Sequence, residues 1–265
     1  MWIYQKKRFI ISFNLNHGFM DFLKSLVVWL CALCFMGILF PVTFIIWLIV
    51  LPLDRQRVIT HWMLVYQAVI IAAIIPVWKI RIEGREKASS DTTYVIISNH
   101  QSILDILLIN CLRYRFKWIS KIENMKVPVL GWYLRMAGYL TVDRGNEESK
   151  AEMLEKALIC LKNGNSIMIF PEGTRSLNGE TGFFKRGAFV LAIQAGVPIL
   201  PVLIDGTSEI LPKHGLKFRS GYKVQIRVLD PVLPAEFDTD NPDLLAAKLS
   251  NLMKSELSNL RAGLI

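Results

Sequence analysis

Residues 92–105 read TTYVIISNHQSILD, a strand-like run followed by the start of a helix. The β-branched and aromatic residues at 92–98 are typical of a buried strand. His100 and Asp105 come next, five positions apart, a spacing that puts two side chains on different faces of a continuous helix. We therefore expect His100 in a loop, Ser102 at the helix N-cap, and Asp105 as the third helical residue with its carboxylate folded back toward the loop.

The pairing of His100 with Asp105 has a chemical meaning. Histidine has an ordinary pKa of about 6.5, so a neutral imidazole can accept a proton near pH 7. A carboxylate on its other ring nitrogen fixes the tautomer and stabilises the imidazolium that forms. The pair is therefore half of a general-base catalyst, although the same spacing also arises by chance and in helix caps that are purely structural.

From residue 92 onward, short apolar runs alternate with amphipathic stretches, and this pattern predicts an α/β domain. The predicted strands are 94–98, 117–120, 139–142, 166–170, 199–204 and 224–229. The predicted helices are 103–112, 129–136, 148–161, 188–195 and 242–260.

The composition combines apolar and basic character. Of the 265 residues, 52% are hydrophobic, and 31 Lys and Arg against 22 Asp and Glu give a net charge of +9. Together these features indicate a membrane surface as a partner, since no zinc-ligand set, glycine-flanked aromatic motif or separate basic helix supports nucleic-acid binding. We interpret the four cysteines as small apolar side chains in a reducing compartment, not as a disulfide framework or a metal site: Cys31, Cys34, Cys111 and Cys160.

The N-terminal region predicts a membrane-associated hairpin of two apolar helices. Residues 25–53 carry no charge, and a second uncharged run covers 62–78. Spanning takes about 20 apolar residues, the second run is shorter, and basic residues occur before, between and after the two runs. We expect a re-entrant or interfacial hairpin in the cytoplasmic leaflet, with two spans or a hairpin packed on a soluble domain as alternatives. The expected domains are 1–80 for the hairpin and 81–265 for the α/β unit.

A second polar stretch, FPEGTRS at 170–176, follows the predicted strand 166–170. Open α/β sheets place ligands at the carboxyl ends of their strands. Gly173 allows close approach of the backbone, Thr174 offers a hydroxyl, and Arg175 can hold a phosphate with its planar two-pronged donor. The stretch therefore favours an anionic substrate, and a surface turn is the alternative.

The two stretches belong to a set of four ordered motifs. NHQSILD is the first motif. The second consists of KIE at 121–123 together with GYLTVDR at 138–144, the third is FPEGTRS, and the fourth is VPILPV at 197–202. This set resembles the glycerolipid acyltransferases, specifically the bacterial 1-acyl-sn-glycerol-3-phosphate acyltransferases, over roughly residues 75 to 230. The resemblance implies a mixed, mostly parallel sheet flanked by helices, with the apolar hairpin preceding it.

The same resemblance implies an activity. An acyl group would pass from an acyl thioester, either acyl-CoA or acyl carrier protein, to the sn-2 hydroxyl of 1-acyl-sn-glycerol-3-phosphate, giving phosphatidic acid. His100 would be the base and Asp105 its orienting partner. Direct transfer is preferred to an acyl-enzyme because no Gly-x-Ser-x-Gly elbow is present. No metal and no cofactor beyond the acyl donor is expected.

The implied acceptor site uses residues from two motifs. Arg144 and Arg175 would neutralise the phosphate, with Lys121 as a further candidate, while Glu172 and Gly173 would orient the glycerol and Thr174 would line the site. Backbone amides near Ser102 are candidates for the oxyanion site. These arginines favour a phosphate monoester; other lysophospholipids, glycerol-3-phosphate and lyso-ornithine lipid are the alternative acceptors. A noncatalytic membrane lipid-binding protein is the alternative of a different class.

Two expectations complete the sequence-based account. The enzyme would sit at the cytoplasmic face of the inner membrane, where lysophosphatidic acid reaches the site from the bilayer and the acyl donor arrives from the cytosol. The segment 181–188 combines aromatic and basic residues, and it either caps the site or starts a helix packed on the sheet.

Overall fold

In a computed structural model of the chain, residues 2–74, 78–219 and 221–263 are described, with side chains from residue 22 onward except at 74 and 78. Two helices come first, α1 at Trp2–Val50 and α2 at Val58–Ile74. The other helices are α3 at Leu104–Ile109, α4 at Leu130–Met136, α5 at Glu147–Lys162, α6 at Gly187–Ala195, α7 at Thr207–Ile210 and α8 at Pro242–Ala262.

Seven strands form one sheet in the order β1-β7-β6-β2-β5-β3-β4. Their bounds are β1 Trp78–Glu83, β2 Val95–Ser98, β3 Phe116–Lys121, β4 Leu140–Val142, β5 Ser166–Ile169, β6 Ile199–Asp205 and β7 Tyr222–Val228. β7 runs antiparallel to β6, and the other neighbouring strands are parallel. The sheet is therefore mixed and mostly parallel, and the α/β prediction is confirmed.

Both faces of the sheet are covered, as its parallel strands require. On one face Ile96 of β2 belongs to a core shared with α2 and α3, and on the other face Val95 and Ile97 belong to a core shared with α5, α6 and α8. All four residues of β2 are buried. The central strand that leads to His100 is thus fixed between two hydrophobic layers.

Two features differ from their predictions. β1 was not predicted, because its basic residues Lys79 and Arg81 were interpreted as the flank of a membrane helix. The domain division expected at residue 80 lies within this strand. α1 is one helix of 49 residues that continues through Pro41, although proline in a helix interior usually kinks or ends the helix. The second predicted apolar run, 62–78, includes residues 75–77, which lie outside the described part.

The apolar segment Phe22–Val50 of α1 is long and apolar enough to cross a membrane, and only 6% of an 18-residue apolar window within it is buried. A core helix of a soluble domain would be mostly buried, so this exposure favours lipid over protein as its surroundings. The helix is nevertheless fastened to the α/β unit. Trp29 Nε1 donates to the Leu216 carbonyl at 3.0 Å, and Ser25 Oγ accepts from Phe218 N at 2.7 Å.

Candidate active site

The loop between β2 and α3 places His100 against Asp105. His100 lies in the loop and Asp105 in the first turn of α3, with 2.8 Å between His100 Nδ1 and Asp105 Oδ2. The predicted placement is confirmed. The helix begins one residue later than expected, since Ile103 is the N-cap and Asp105 is the second helical residue.

Asp105 is fully buried and accepts hydrogen bonds from both sides. Its Oδ2 also accepts from the backbone amides of Gln101 at 2.6 Å and Ser102 at 2.8 Å, and its Oδ1 accepts from Thr207 Oγ1 at 2.6 Å. All of these partners donate, so the Asp105 carboxylate acts as an acceptor toward each of them. Asp105 Oδ2 therefore accepts a hydrogen bond from His100 Nδ1–H, and the free lone pair of the neutral imidazole lies on Nε2.

The same contacts correct one expectation. The amides of Gln101 and Ser102 were candidates for the oxyanion site, but both point at the Asp105 carboxylate. A buried charge competes more strongly for these donors than a transient oxyanion would. The amides of Gln101 and Ser102 therefore stabilise the Asp105 carboxylate instead.

Glu172 fastens the backbone of His100. Its Oε1 accepts from the His100 amide at 2.9 Å, and its Oε2 accepts from the Gly182 amide at 3.0 Å. The amide of Ser176 in turn donates to the His100 carbonyl at 2.7 Å. Burial raises the pKa of Glu172, while the two amide hydrogen bonds oppose that rise. Both carboxylate oxygens thus hold the protein's own backbone, so Glu172 acts as a positioning residue.

Phe170 supports the face of the imidazole. The two rings are stacked with their centroids 3.9 Å apart and their planes at 10°, and Trp118 of β3 stacks on the far side of Phe170 at 5.6 Å. The side chain of His100 is 14% exposed. Its edge is therefore fixed by Asp105 and its face by Phe170, and a small exposed part remains for a substrate.

Cationic side chains gather at Gly173, the residue that follows Glu172. Gly173 has a positive φ of 69°, which an L side chain rarely adopts, and its carbonyl accepts a hydrogen bond from Arg144 Nη1. Lys121 pairs with Glu123 at 2.7 Å, and the charge of Arg144 also acts on Glu123. Four predicted site residues, Lys121, Arg144, Glu172 and Gly173, are thus linked through contacts or charge.

Thr174 and Arg175 complete the predicted set. Thr174 is exposed and Arg175 is half-buried. Within the described residues neither side chain makes a hydrogen bond or ion pair with the protein. Both therefore remain free for a ligand.

Two residues that shape the site, Thr207 and Phe170, have no predicted role. Thr207 follows the carboxyl end of β6, where polar residues signal a ligand site, and that position was the available signal. Asn99, the residue before His100, likewise has no predicted role. Its side chain donates to the Ile204 carbonyl at 2.8 Å and accepts from the Ile204 amide at 2.9 Å. It therefore fixes the loop to β6, on which Thr207 depends.

Arg261 near the end of α8 closes the far side of this region. Its Nη2 donates to the Gly179 carbonyl at 2.8 Å and to Asp205 Oδ1 at 2.9 Å, and its Nη1 pairs with Glu180 at 2.5 Å. Gln101 Nε2 donates to the same Gly179 carbonyl at 2.8 Å. The loop that follows FPEGTRS is therefore held between the His100 loop and the C-terminal helix.

Comparison with known proteins agrees with this geometry. A solved structure of the 1-acyl-sn-glycerophosphate (LPA) acyltransferase PlsC from Thermotoga maritima superposes with a TM-score of 0.76 at 27% identity, covering 93% of this chain and 98% of that one. The chloroplastic 1-acyl-sn-glycerol-3-phosphate acyltransferase LPAT1 of Arabidopsis thaliana is 38% identical over 167 residues, which are 63% of this chain and 47% of that protein. The corresponding Saccharomyces cerevisiae enzyme is 32% identical over 186 residues, 68% of this chain and 60% of that protein.

The chain spans about half the length of the plant relatives it matches. The family model described as Acyltransferase matches residues 79–205, a range that begins in β1, ends with β6 and includes His100, Asp105, Arg144 and Glu172. Residues 79–205 of the chain therefore form an acyltransferase family domain.

Proposed function

We propose that this protein transfers a fatty acyl group from an acyl thioester to the sn-2 hydroxyl of 1-acyl-sn-glycerol-3-phosphate, giving phosphatidic acid. The observation that carries the proposal is the His100–Asp105 pair, in which Nδ1 is occupied by a buried carboxylate and Nε2 is left for the substrate. The relatives and the solved Thermotoga protein are named for acylation of 1-acyl-sn-glycerol-3-phosphate, and this supports the assigned acceptor.

The chemistry follows from the free nitrogen of His100. Nε2 removes the proton of the acceptor hydroxyl as the oxygen attacks the thioester carbonyl, and Asp105 stabilises the imidazolium that forms. The tetrahedral intermediate then collapses, the carbon–sulfur bond breaks, and the imidazolium returns the proton to the leaving thiolate. General-base assistance of this kind contributes about 10²- to 10⁴-fold to a rate.

The cations around Gly173 would bind the acceptor phosphate. Arg144 lies on the Gly173 carbonyl, Arg175 is two residues farther along the chain, and Lys121 is near Arg144 through Glu123. Because Glu172 joins this loop to the His100 amide, the phosphate and the base are held in a fixed relation. Such positioning raises the rate by reducing the entropy lost on reaching the reactive geometry.

The exposed apolar surface of α1 supports a location in the membrane. We place the catalytic unit at the cytoplasmic face of the inner membrane, held by the hairpin of α1 and α2. The lysolipid would enter from the bilayer, and acyl-CoA or acyl carrier protein would arrive from the cytosol. No cofactor beyond this acyl donor enters the proposed reaction.

A direct assay tests the proposal. The full chain in detergent micelles is incubated with 1-acyl-sn-glycerol-3-phosphate and labelled oleoyl-CoA or oleoyl-acyl carrier protein, with glycerol-3-phosphate and lysophosphatidylglycerol as comparison acceptors. We expect labelled phosphatidic acid from at least one donor. Preferential acylation of another acceptor would contradict the assigned substrate, and absence of transfer to every acceptor would favour a noncatalytic lipid-binding protein.

A further inference from the structure

Lys185 lies directly against Gly173, at the centre of the cationic site. A Cβ built on Gly173 would be 3.1 Å from Lys185 Nζ, 3.2 Å from its Cε and 3.4 Å from its Cδ. The end of the lysine side chain therefore runs along the face of Gly173 that any other residue would fill. The absence of a side chain at Gly173 makes room for this lysine.

The backbone of Lys185 is held in this place. Its amide donates to the Pro171 carbonyl at 2.9 Å, and the neighbouring Gly182 amide donates to Glu172 Oε2 at 3.0 Å. Segment 182–185 is thus bonded to Pro171 and Glu172, the two residues that precede Gly173, and the side chain of Lys185 starts from a fixed position. This distinguishes Lys185 from a lysine on a free surface loop.

The positive charge at this point has no directly paired carboxylate within the described residues, although Arg144 interacts with the charge of Glu123 at longer range. Within the described residues neither Lys185, Arg144 nor Arg175 has a carboxylate within 4.0 Å, whereas Lys121 is paired with Glu123. The Arg144 guanidinium donates to the carbonyl of Gly173, and the Lys185 side chain lies beside the α-carbon of Gly173. Two unpaired cations that converge on one glycine form a site suited to an anion with more than one charge.

We propose that Lys185 binds the phosphate of the acceptor together with Arg144, and that it selects a phosphate monoester over a diester. The inference rests on the proposed function and names a specificity residue for it. A phosphate monoester carries a charge of about −1.5 to −2 at pH 7, while a diester carries a single charge. A further cation therefore contributes more to the binding of the monoester than to that of the diester.

Steady-state kinetics of Lys185→Met and Lys185→Arg test the proposal. KM and kcat are measured with lysophosphatidic acid and with lysophosphatidylglycerol, and with inorganic phosphate as an inhibitor. We expect Lys185→Met to raise KM for lysophosphatidic acid roughly ten- to hundredfold while kcat changes little, because one charge-assisted contact is lost. We also expect weaker inhibition by phosphate, a smaller preference for the monoester, and recovery of most of the affinity in Lys185→Arg.

Lys162→Met is the matched control, since it removes one exposed lysine at the end of α5, away from the Gly173 contacts. It should leave KM unchanged. If the wild type acylates lysophosphatidic acid and Lys185→Met has an unchanged KM, the inference is overturned and the proposed function stays intact. A fall in kcat alone would also overturn it, and a wild type that does not acylate lysophosphatidic acid would overturn both.

Discussion

His100 is held by three residues that come from two separate motifs. Asp105 fixes its edge at 2.8 Å, Phe170 stacks on its face at 3.9 Å, and Glu172 fixes its backbone amide at 2.9 Å. A base held in this way spends little rotamer entropy when the substrate arrives. The arrangement explains why both motifs, NHQSILD and FPEGTRS, are needed to position the imidazole of His100.

Replacement of Asp105 by Asn tests the orienting role. The amide keeps the size of the side chain but loses its charge, and its NH₂ group cannot accept from the donors that now surround Asp105. We expect kcat to fall about 10²- to 10⁴-fold with KM for lysophosphatidic acid little changed, as measured by steady-state acylation. A wild-type kcat in Asp105→Asn would contradict the role.

Thr207 offers a subtler test with a matched control. Thr207→Val keeps the shape but removes the hydroxyl that donates to Asp105 Oδ1 at 2.6 Å, whereas Thr207→Ser keeps the hydroxyl. We expect Thr207→Val to lose about 1–2 kcal/mol of stability and several-fold in kcat, because a buried hydrogen bond to a charge is lost. Thermal unfolding and acylation rates measure the two effects. Equal losses in both variants would show that the hydroxyl has no part.

At the scale of elements, much of the sheet follows from local patterns in the sequence. The six predicted strands correspond to β2 through β7, because each is a short apolar run bounded by polar residues or glycine. β1 was not predicted because Ile80 and Ile82 alternate with basic residues. It is an edge strand of the described sheet and pairs there only with β7. Because β1 follows an apolar helix, its basic residues were interpreted as the flank of a membrane helix.

The contacts of the site depend on sequence-distant pairing and could not be predicted in full. Ser98 of β2 pairs with Val202 of β6, and this register brings Thr207 to Asp105. The stacking of Phe170 on His100 likewise follows from the parallel pairing of β2 with β5. The His100–Asp105 contact, in contrast, is local to one turn, and it was predicted from the spacing alone.

β3 carries a buried amine that gives stability a pH dependence. Lys117 is 5% exposed and donates to the Ala137 carbonyl at 2.7 Å, and burial lowers its pKa to about 8 from 10.5. Below pH 8 both the folded and the unfolded chain are protonated here, so the full cost of burying the charge is present. Between about pH 8 and 10.5 the folded chain loses the proton first, and the free energy of unfolding rises with pH from this group.

Lys117→Met removes that dependence. The wild type should gain about 1–2 kcal/mol between pH 7.5 and 9.5 from this amine, and the variant should lack this gain, as measured by unfolding in detergent at both pH values. The quantity compared is the change in the free energy of unfolding with pH, not its absolute value, because the variant also leaves the Ala137 carbonyl without its donor. Identical slopes in the two proteins would contradict the assigned burial cost.

At the scale of the whole molecule, the hairpin is joined to the catalytic unit as one structure. Val28 of α1 and Ala72 of α2 belong to the core on one face of the sheet, and Trp29 packs against Phe218 with a centroid distance of 5.4 Å and the ring planes tilted at 53°. Removal of the hairpin would therefore open this core as well as removing the apolar surface. Membrane attachment has to be tested in the full chain.

The nature of the attachment predicts its response to salt. The exposed surface of Phe22–Val50 is apolar, and hydrophobic insertion is not screened by ions, whereas attraction between basic residues and anionic lipid is. We expect the protein to stay in the membrane fraction in 1 M NaCl (on the order of a 3 Å screening length) and to leave it only in detergent, as followed by sedimentation. Release by salt alone would contradict insertion.

General-base catalysis by His100 is the central claim, and single-turnover acylation by His100→Ala tests it most directly. The full chain is saturated with lysophosphatidic acid and labelled acyl thioester, with His214→Ala as the control because His214 is an exposed histidine outside the site. We predict that phosphatidic acid forms about 10²- to 10⁴-fold more slowly in His100→Ala, with lysophosphatidic acid binding retained and His214→Ala unaffected. A wild-type rate in His100→Ala would contradict the claim.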